Sequence, residues 1–246
     1  MAVQMAVAAG TNNPSGYDDR TMTFKNDSKL DAGIIAFAEQ VKSEPTNTTA
    51  IYNLALAYRL KGQFDKSLLY WNKYIELNST NDMAYKYRAT VHNVLGNYED
   101  AIEDFNKGIA LNPNDAYSFA NRGFSYNQEK NYRQALSDFN QALQIDPNNE
   151  DALNNLAWLR ATCPTSSLRD SKEAVSLATK ACETTKWRRW TCVDTFGTAY
   201  AADGDFDNAI KFEKMAAGMD GVAKNDLNEL NNRLLLFQNH QPYQRK

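Results

Sequence analysis

The chain has 246 residues, 43% hydrophobic and 23% charged, with a formal net charge of −3, which is enough apolar content for a sizeable core in one or two domains. A slightly acidic balance with no Lys/Arg run longer than two residues argues against a nucleic-acid partner, and no apolar run approaches the roughly 18 residues of a membrane span. Three cysteines (Cys163, Cys182 and Cys192) and no Cys-x-x-Cys pair argue against a disulfide framework or a zinc site and fit a reducing compartment.

The opening, MAVQMAVAAG followed by TNNPSGYDDR, joins a mildly apolar start to turn-forming polar residues. It reads as a disordered tail over 1–26. A trimmed export signal is the alternative, although the basic flank of such a signal is missing. A cytoplasmic location is favoured accordingly, with export as the other reading. A degenerate half-repeat is expected over 27–47, with a helix at about 27–43, because Gly33, Phe37 and Pro45 stand where Ala135, Phe139 and Pro147 stand later.

Shifted by 34 residues, the sequence then falls onto itself without a gap over 48–81, 82–115 and 116–149. Each block carries apolar residues at helical spacing, a turn, and a second amphipathic run. Small residues recur where two helix axes would approach: Ala55, Ala89 and Gly123 in the first run, Ser67, Ala101 and Ala135 in the second. Large rings stand beside them at Trp71, Phe105 and Phe139. Gly62 and Gly96 suit left-handed helix ends, Phe64, Tyr98 and Tyr132 follow to pack under the turn, and Pro113 and Pro147 close the second helices.

A fourth unit, 150–189, starts in register with Leu153, Ala157 and Trp158, but its second helix places Ala174 five residues late. Pro164 ends the first helix, TSSLR lengthens the turn, and Asp170 is expected to cap the next helix, with Glu173 reaching back to it. A fifth unit, 190–221, keeps Gly197, Tyr200, Gly204, Phe206, Ala209 and Ala216 in place, while its aromatic, Phe212, lies one position early. The stretch 222–246 carries Leu227, Leu230, Leu234 and Phe237 on one face of a helix, as a capping helix needs. The whole of 27–240 is expected to form one domain.

The spacing resembles the tetratricopeptide repeat (TPR), most fully in 116–149, where Phe119, Arg122, Gly123, Tyr126, Ala135, Phe139, Ala142 and Pro147 occupy the pattern positions together. Tyr74, Ser79 and His92 depart from it. The second half resembles a bacterial subgroup of the family through LAWLRATCP, RDSKEAVSLATKACETT, DTFGTAYAADGDFDNA and a closing PY. The resemblance implies an all-α, right-handed superhelical solenoid with a C-terminal capping helix, and no defined reaction.

No Gly-rich phosphate loop, GxSxG or HExxH occurs, no carboxylate pair stands out, and no metal or cofactor is expected. His92 falls at a packing position and His240 in a polar stretch. Cys182 and Cys192 could meet across one turn, as a disulfide or as plain buried thiols, the second being favoured. KWRRW, with Trp187, Arg188, Arg189 and Trp190, is a secondary candidate surface. Its tryptophans could pack between repeats (the favoured reading), anchor a protein contact or stack bases.

In the family, the first helices line a concave groove, and the sixth place of each block reads Asn53, Tyr87, Asn121, Asn155 and Thr195. The three asparagines resemble the asparagine ladder of the O-linked GlcNAc transferases, in which amides hold a bound peptide's backbone. An amide offers donors and an acceptor to any extended segment. Tyr52, Leu56, Lys86, Phe124 and Trp158 lie between the rungs and suit apolar anchors. Where a chaperone-tail clamp needs Lys and Asn, this chain has Tyr52 and Leu56 (or Lys86 and Thr90), and where it needs a pair of cations, Asp151 and Asn155, so that clamp is not expected. The expected function is a non-catalytic scaffold that takes an extended peptide or helix of a partner protein. Self-association into an oligomer is the alternative, followed by a cryptic enzyme or hydrolase accessory.

Overall fold

The computed structural model describes Tyr17–Asp18, Thr23–Phe24 and residues 28–245. The tail and export-signal readings of 1–26 therefore fall almost wholly outside the described residues; within them, Tyr17 pairs with Phe24 and Asp18 with Thr23 as two short antiparallel strands, β1 and β2. The chain divides between Pro113 and Asn114 into two compact units.

In the first unit a single helix, α1 (Ser28–Ser43), precedes two antiparallel pairs: α2 (Thr48–Leu60) with α3 (Phe64–Leu77), and α4 (Asp82–Leu95) with α5 (Tyr98–Leu111). In the second unit, α6 (Ala116–Gln128) pairs with α7 (Tyr132–Ile145), α8 (Glu150–Thr162) with α9 (Ser171–Thr184), and α10 (Trp190–Asp203) with α11 (Phe206–Ala217). A final helix, α12 (Lys224–Gln238), packs on α11. The fold is all-α, built from repeated helix pairs and closed by a capping helix.

The pairs form because small and large residues meet. Ala55, Ala89, Ala101 and Ala135 are fully buried, as are Trp71, Phe105 and Phe139. At Gly123 the approach is closest: a Cβ there would lie 2.7 Å from Phe139 Cε1. Ser67 uses the same proximity to donate its hydroxyl to the Ala55 carbonyl at 2.8 Å. In the second and third pairs an ion pair with a buried carboxylate crosses between the helices. Arg88 grips Asp104 at 2.6 and 2.7 Å, and Arg122 grips Asp138 at 2.7 Å through both nitrogens.

Helix ends follow the chemistry of the turns. Gly62, Gly96 and Gly204 adopt left-handed φ of 75°, 79° and 87°, and Lys130 takes φ 60° at the equivalent place in the third pair. Asn47, Asn81 and Asn149 each cap a first helix, accepting from the amide three residues on. In the lengthened turn of the fourth pair, Asp170 caps α9 by accepting from the Glu173 amide at 2.9 Å. The Glu173 carboxylate does not reach back to the cap: it turns to Arg160 at 2.7 Å. Arg160 and Arg169 also donate to the carbonyls of Leu168 and Cys163, so two arginines hold this turn in one shape.

On α12 the buried residues are Leu230, Arg233 and Phe237, and Leu227 is 36% exposed. The apolar seam expected from the leucines is thus rotated to admit an arginine, for a reason found in the site described next.

Candidate functional site

First helices of successive pairs touch: α2 meets α4 in the first unit, while α6, α8 and α10 lie side by side in the second. Each unit therefore presents a face lined by first helices.

On the first unit's face, Asn53 is half-buried and makes no side-chain hydrogen bond among the described residues. Tyr52 lies edge-on to Trp71 at 5.0 Å, to Tyr74 at 5.3 Å and to Tyr87 at 6.4 Å. Burial first, then the neighbouring tyrosines, pushes its hydroxyl above the usual phenol range. Lys86 is half-buried. Leu56 is only 5% exposed and belongs to the core, because the Trp71 cluster draws that side of α2 inward.

On the second unit's face, Asn121 and Asn155 take equivalent places on α6 and α8, with Phe124 and Trp158 one turn further along, all half-buried. The Asn121 amide donates to the Tyr117 carbonyl at 3.0 Å. Asn155 makes no side-chain hydrogen bond among the described residues. Trp158 is already engaged. Tyr243, from the segment after α12, lies 5.8 Å from it. The Arg233 guanidinium sits 5.5 Å from Trp158 and 5.7 Å from Tyr243, a cation within reach of both rings.

Arg233 is held from below by two buried carboxyls. Its Nη2 lies 2.9 Å from Asp194 Oδ1 on α10, and its Nε 3.1 Å from Glu213 Oε1 on α11. Burial pushes the Glu213 carboxyl up to about 9, and the Asp194 charge adds to this against the pull of Arg233. Asp194 rises to about 6, again through burial, with Arg233 opposing. One guanidinium thus serves two carboxyls, and burial works against the second negative charge. Sequence reasoning missed this triad, though one signal pointed to it. Phe212 stands one place early, and the vacated place, equivalent to Trp71, Phe105 and Phe139, holds Glu213.

The KWRRW stretch turns inward more than outward. Lys186 and Trp187 adopt left-handed φ of 51° and 59°, which drives the Trp187 ring onto Phe212 at 6.0 Å and edge-on to Phe196 at 5.6 Å. Arg189 pairs with Asp151 at 2.7 Å, Trp190 opens α10 against the same cluster, and Arg188 is exposed. Cys182 and Cys192 are buried free thiols in that cluster, pushed up by burial to about 12 and about 11. His92 is half-buried, and desolvation holds its imidazole below the usual range.

Among the described residues no group of three His, Cys, Asp or Glu side chains is placed to hold a metal ion, and no helix is long and apolar enough to cross a membrane.

The tetratricopeptide-repeat family model matches residues 48–81, 83–115 and 116–149. No curated protein matches the chain. A tetratricopeptide repeat protein of Parabacteroides merdae has a similar structure, with a TM-score of 0.68 at 20% identity over 86% of this chain and 81% of that one. TTC0263 of Thermus thermophilus, a thermophilic TPR protein, gives 0.61 at 16% identity over 77% and 99% of the two chains. YrrB, described as a TPR protein with an unusual peptide-binding site, gives 0.56 at 18% identity over 80% and 98%. Repeats of this kind are generally non-catalytic protein-interaction scaffolds that bind proteins or peptides. Residues 48–149 are thus three consecutive tetratricopeptide repeats, set in a fold that the solved tetratricopeptide-repeat structures share.

Proposed function

We propose that the protein is a non-catalytic scaffold whose first-helix faces hold an extended peptide or a helix of a partner protein. Asn53 on one unit, with Asn121 and Asn155 on the other, would pair with the partner's backbone. Tyr52, Lys86, Phe124 and Trp158 would supply flanking contacts. One observation carries this reading: a segment of polypeptide outside any helix, 241–245, already lies against α6 and α8, with a ring on Trp158 and a backbone hydrogen bond to Thr162. A face that accommodates one such segment has the shape and the chemistry to accommodate another. The fold also carries a peptide-binding site in YrrB.

Affinity capture from a host lysate tests the reading. The bait is the wild-type protein beside the triple variant Asn53→Ala, Asn121→Ala, Asn155→Ala, after both are shown equally helical by circular dichroism. A protein retained by the wild type and lost from the variant supports the reading. Equal capture by both retires the asparagines and moves attention to Arg188 and the second-helix surfaces.

A further inference from the structure

The segment after α12 reads NHQPYQRK, a polar stretch in which only Tyr243 calls for burial. It is nevertheless fixed at every second or third residue. His240 stacks on Phe206 at 5.1 Å with the rings 4° from parallel. Tyr243 lies against Trp158 and the Arg233 guanidinium. The Arg245 backbone N–H donates to the Thr162 carbonyl at 3.1 Å. Its guanidinium donates to Asn127 Oδ1 at 3.0 Å and to Gln128 Oε1 at 3.4 Å.

These contacts match what the helix ends require. Gln128 and Thr162 are the last residues of α6 and α8. The last four carbonyls of a helix have no partner within it, and the aligned peptide dipoles leave about half a negative charge at that end. A cation placed beside two such ends gains from both, and a backbone N–H satisfies one orphan carbonyl. Trp158, four residues before Thr162 on the same face of α8, supplies a flat apolar shelf. Tyr243 and Arg245, two residues apart, meet the shelf and the helix ends together.

We infer that the corner formed by the C-terminal ends of α6 and α8 with Arg233 of α12 is a specific peptide site. It takes a segment with an aromatic residue two positions before an arginine, and the protein's own 241–245 segment is its resident occupant. A partner segment of that pattern must displace this occupant to bind. The inference rests on the reading of the α6–α8 face as a peptide surface, and adds to it the sequence class of the ligand and a competitor built into the chain.

The test uses the full chain and a fluorescently labelled synthetic peptide, NHQPYQRK. A segment tethered by so short a connection acts at an effective concentration on the order of 1 mM. If it binds with an intrinsic Kd of about 100 μM, it lowers the apparent affinity for an added peptide about tenfold. The double variant Tyr243→Ala, Arg245→Ala is therefore expected to bind the labelled peptide about ten times more tightly than the wild type in fluorescence anisotropy. Peptides carrying alanine in place of the tyrosine or the arginine should fail on both proteins. In the double-variant background, Trp158→Ala abolishes binding. Gln128→Lys, at a half-buried helix end away from the core, weakens it by repelling the arginine, so the result does not hang on Trp158→Ala remaining folded. Equal affinity of wild type and double variant overturns the resident occupant, as does a wild-type dimer that disappears in the double variant, which would place the segment on a second copy. Absence of saturable binding overturns the site itself. If the asparagine variant still loses its captured partner in that case, the broader peptide-face reading survives. If the peptide binds while capture is unaffected by the asparagines, the ladder falls and the corner site stands.

Discussion

Replacing Glu213 with glutamine should stabilise the protein at neutral and alkaline pH, an unusual outcome for a fully buried ion-pair residue. Glu213 is 1% exposed, and its pKa rises from an ordinary 4.5 to about 9 because burial and the Asp194 charge outweigh Arg233. A carboxyl raised on folding contributes its full stability below about pH 4.5 and loses it as pH rises toward 9, because only the unfolded state then ionises. The loss is about 1.4 kcal/mol per pH unit, so on the order of 3 kcal/mol separates pH 4.5 from pH 7. Glutamine carries no charge to hide, keeps an oxygen for Arg233 Nε and brings an N–H toward Asp194. We expect Glu213→Gln to gain about 2 kcal/mol at pH 8, allowing for imperfect amide geometry, and nothing at pH 4.5. Urea unfolding followed by circular dichroism at pH 4.5, 6, 7 and 8 measures it, and the difference between the two proteins reports the coupled Glu213–Asp194 pair. A variant that is less stable at pH 8, or whose stability runs parallel to wild type across the range, refutes the raised carboxyl at Glu213.

Three other substitutions probe the repeat itself by thermal unfolding. Arg122→Ala strands the Asp138 carboxylate, which is 5% exposed, and should cost roughly 3–5 kcal/mol; the double replacement Arg122→Leu, Asp138→Leu should recover most of it. Gly123→Ala places a methyl 2.7 Å from Phe139 Cε1 and should cost about 1–3 kcal/mol, even though Ala55 and Ala89 stand at the equivalent places. Lys130→Gly should gain about 0.5–1 kcal/mol by relieving the left-handed φ of 60°, net of the extra chain entropy glycine brings.

The helix pairs were legible because their determinants are local and recur every 34 residues. A small residue facing a ring, a glycine at a left-handed turn, and a proline after the second helix each act within one block. The capping asparagines at 47, 81 and 149 recur at multiples of the same interval and carry the same local logic. The Asp194–Glu213–Arg233 triad is different in kind. It joins residues 19 and 39 positions apart on three helices, and only the displaced Phe212 marks it in the sequence. The seam of α12 was misplaced for the same reason. Leu227 and Leu234 satisfy an apolar period, but the demand of two buried carboxyls for a cation outweighs it and turns Arg233 inward. Trp158 was legible as a residue of the α8 face. Its cover was not, since QPYQR is polar and nothing in its composition says which surface Tyr243 will meet. The inward turn of KWRRW depended on left-handed backbone at Lys186 and Trp187, a geometry that neither residue type advertises.

The central claim, that asparagine amides on the first-helix faces hold a partner's backbone, is tested most directly by NMR of protein labelled with 15N at asparagine. The partner segment recovered by capture is titrated in, and the side-chain signals are assigned by single alanine substitutions. The account predicts that the amide signals of Asn121 and Asn155, on adjacent helices of one unit, move together and saturate at the same Kd. Asn208, whose amide is committed to Asp205 at 2.6 Å, should stay in place. Saturable binding that leaves Asn53, Asn121 and Asn155 all unmoved would contradict it.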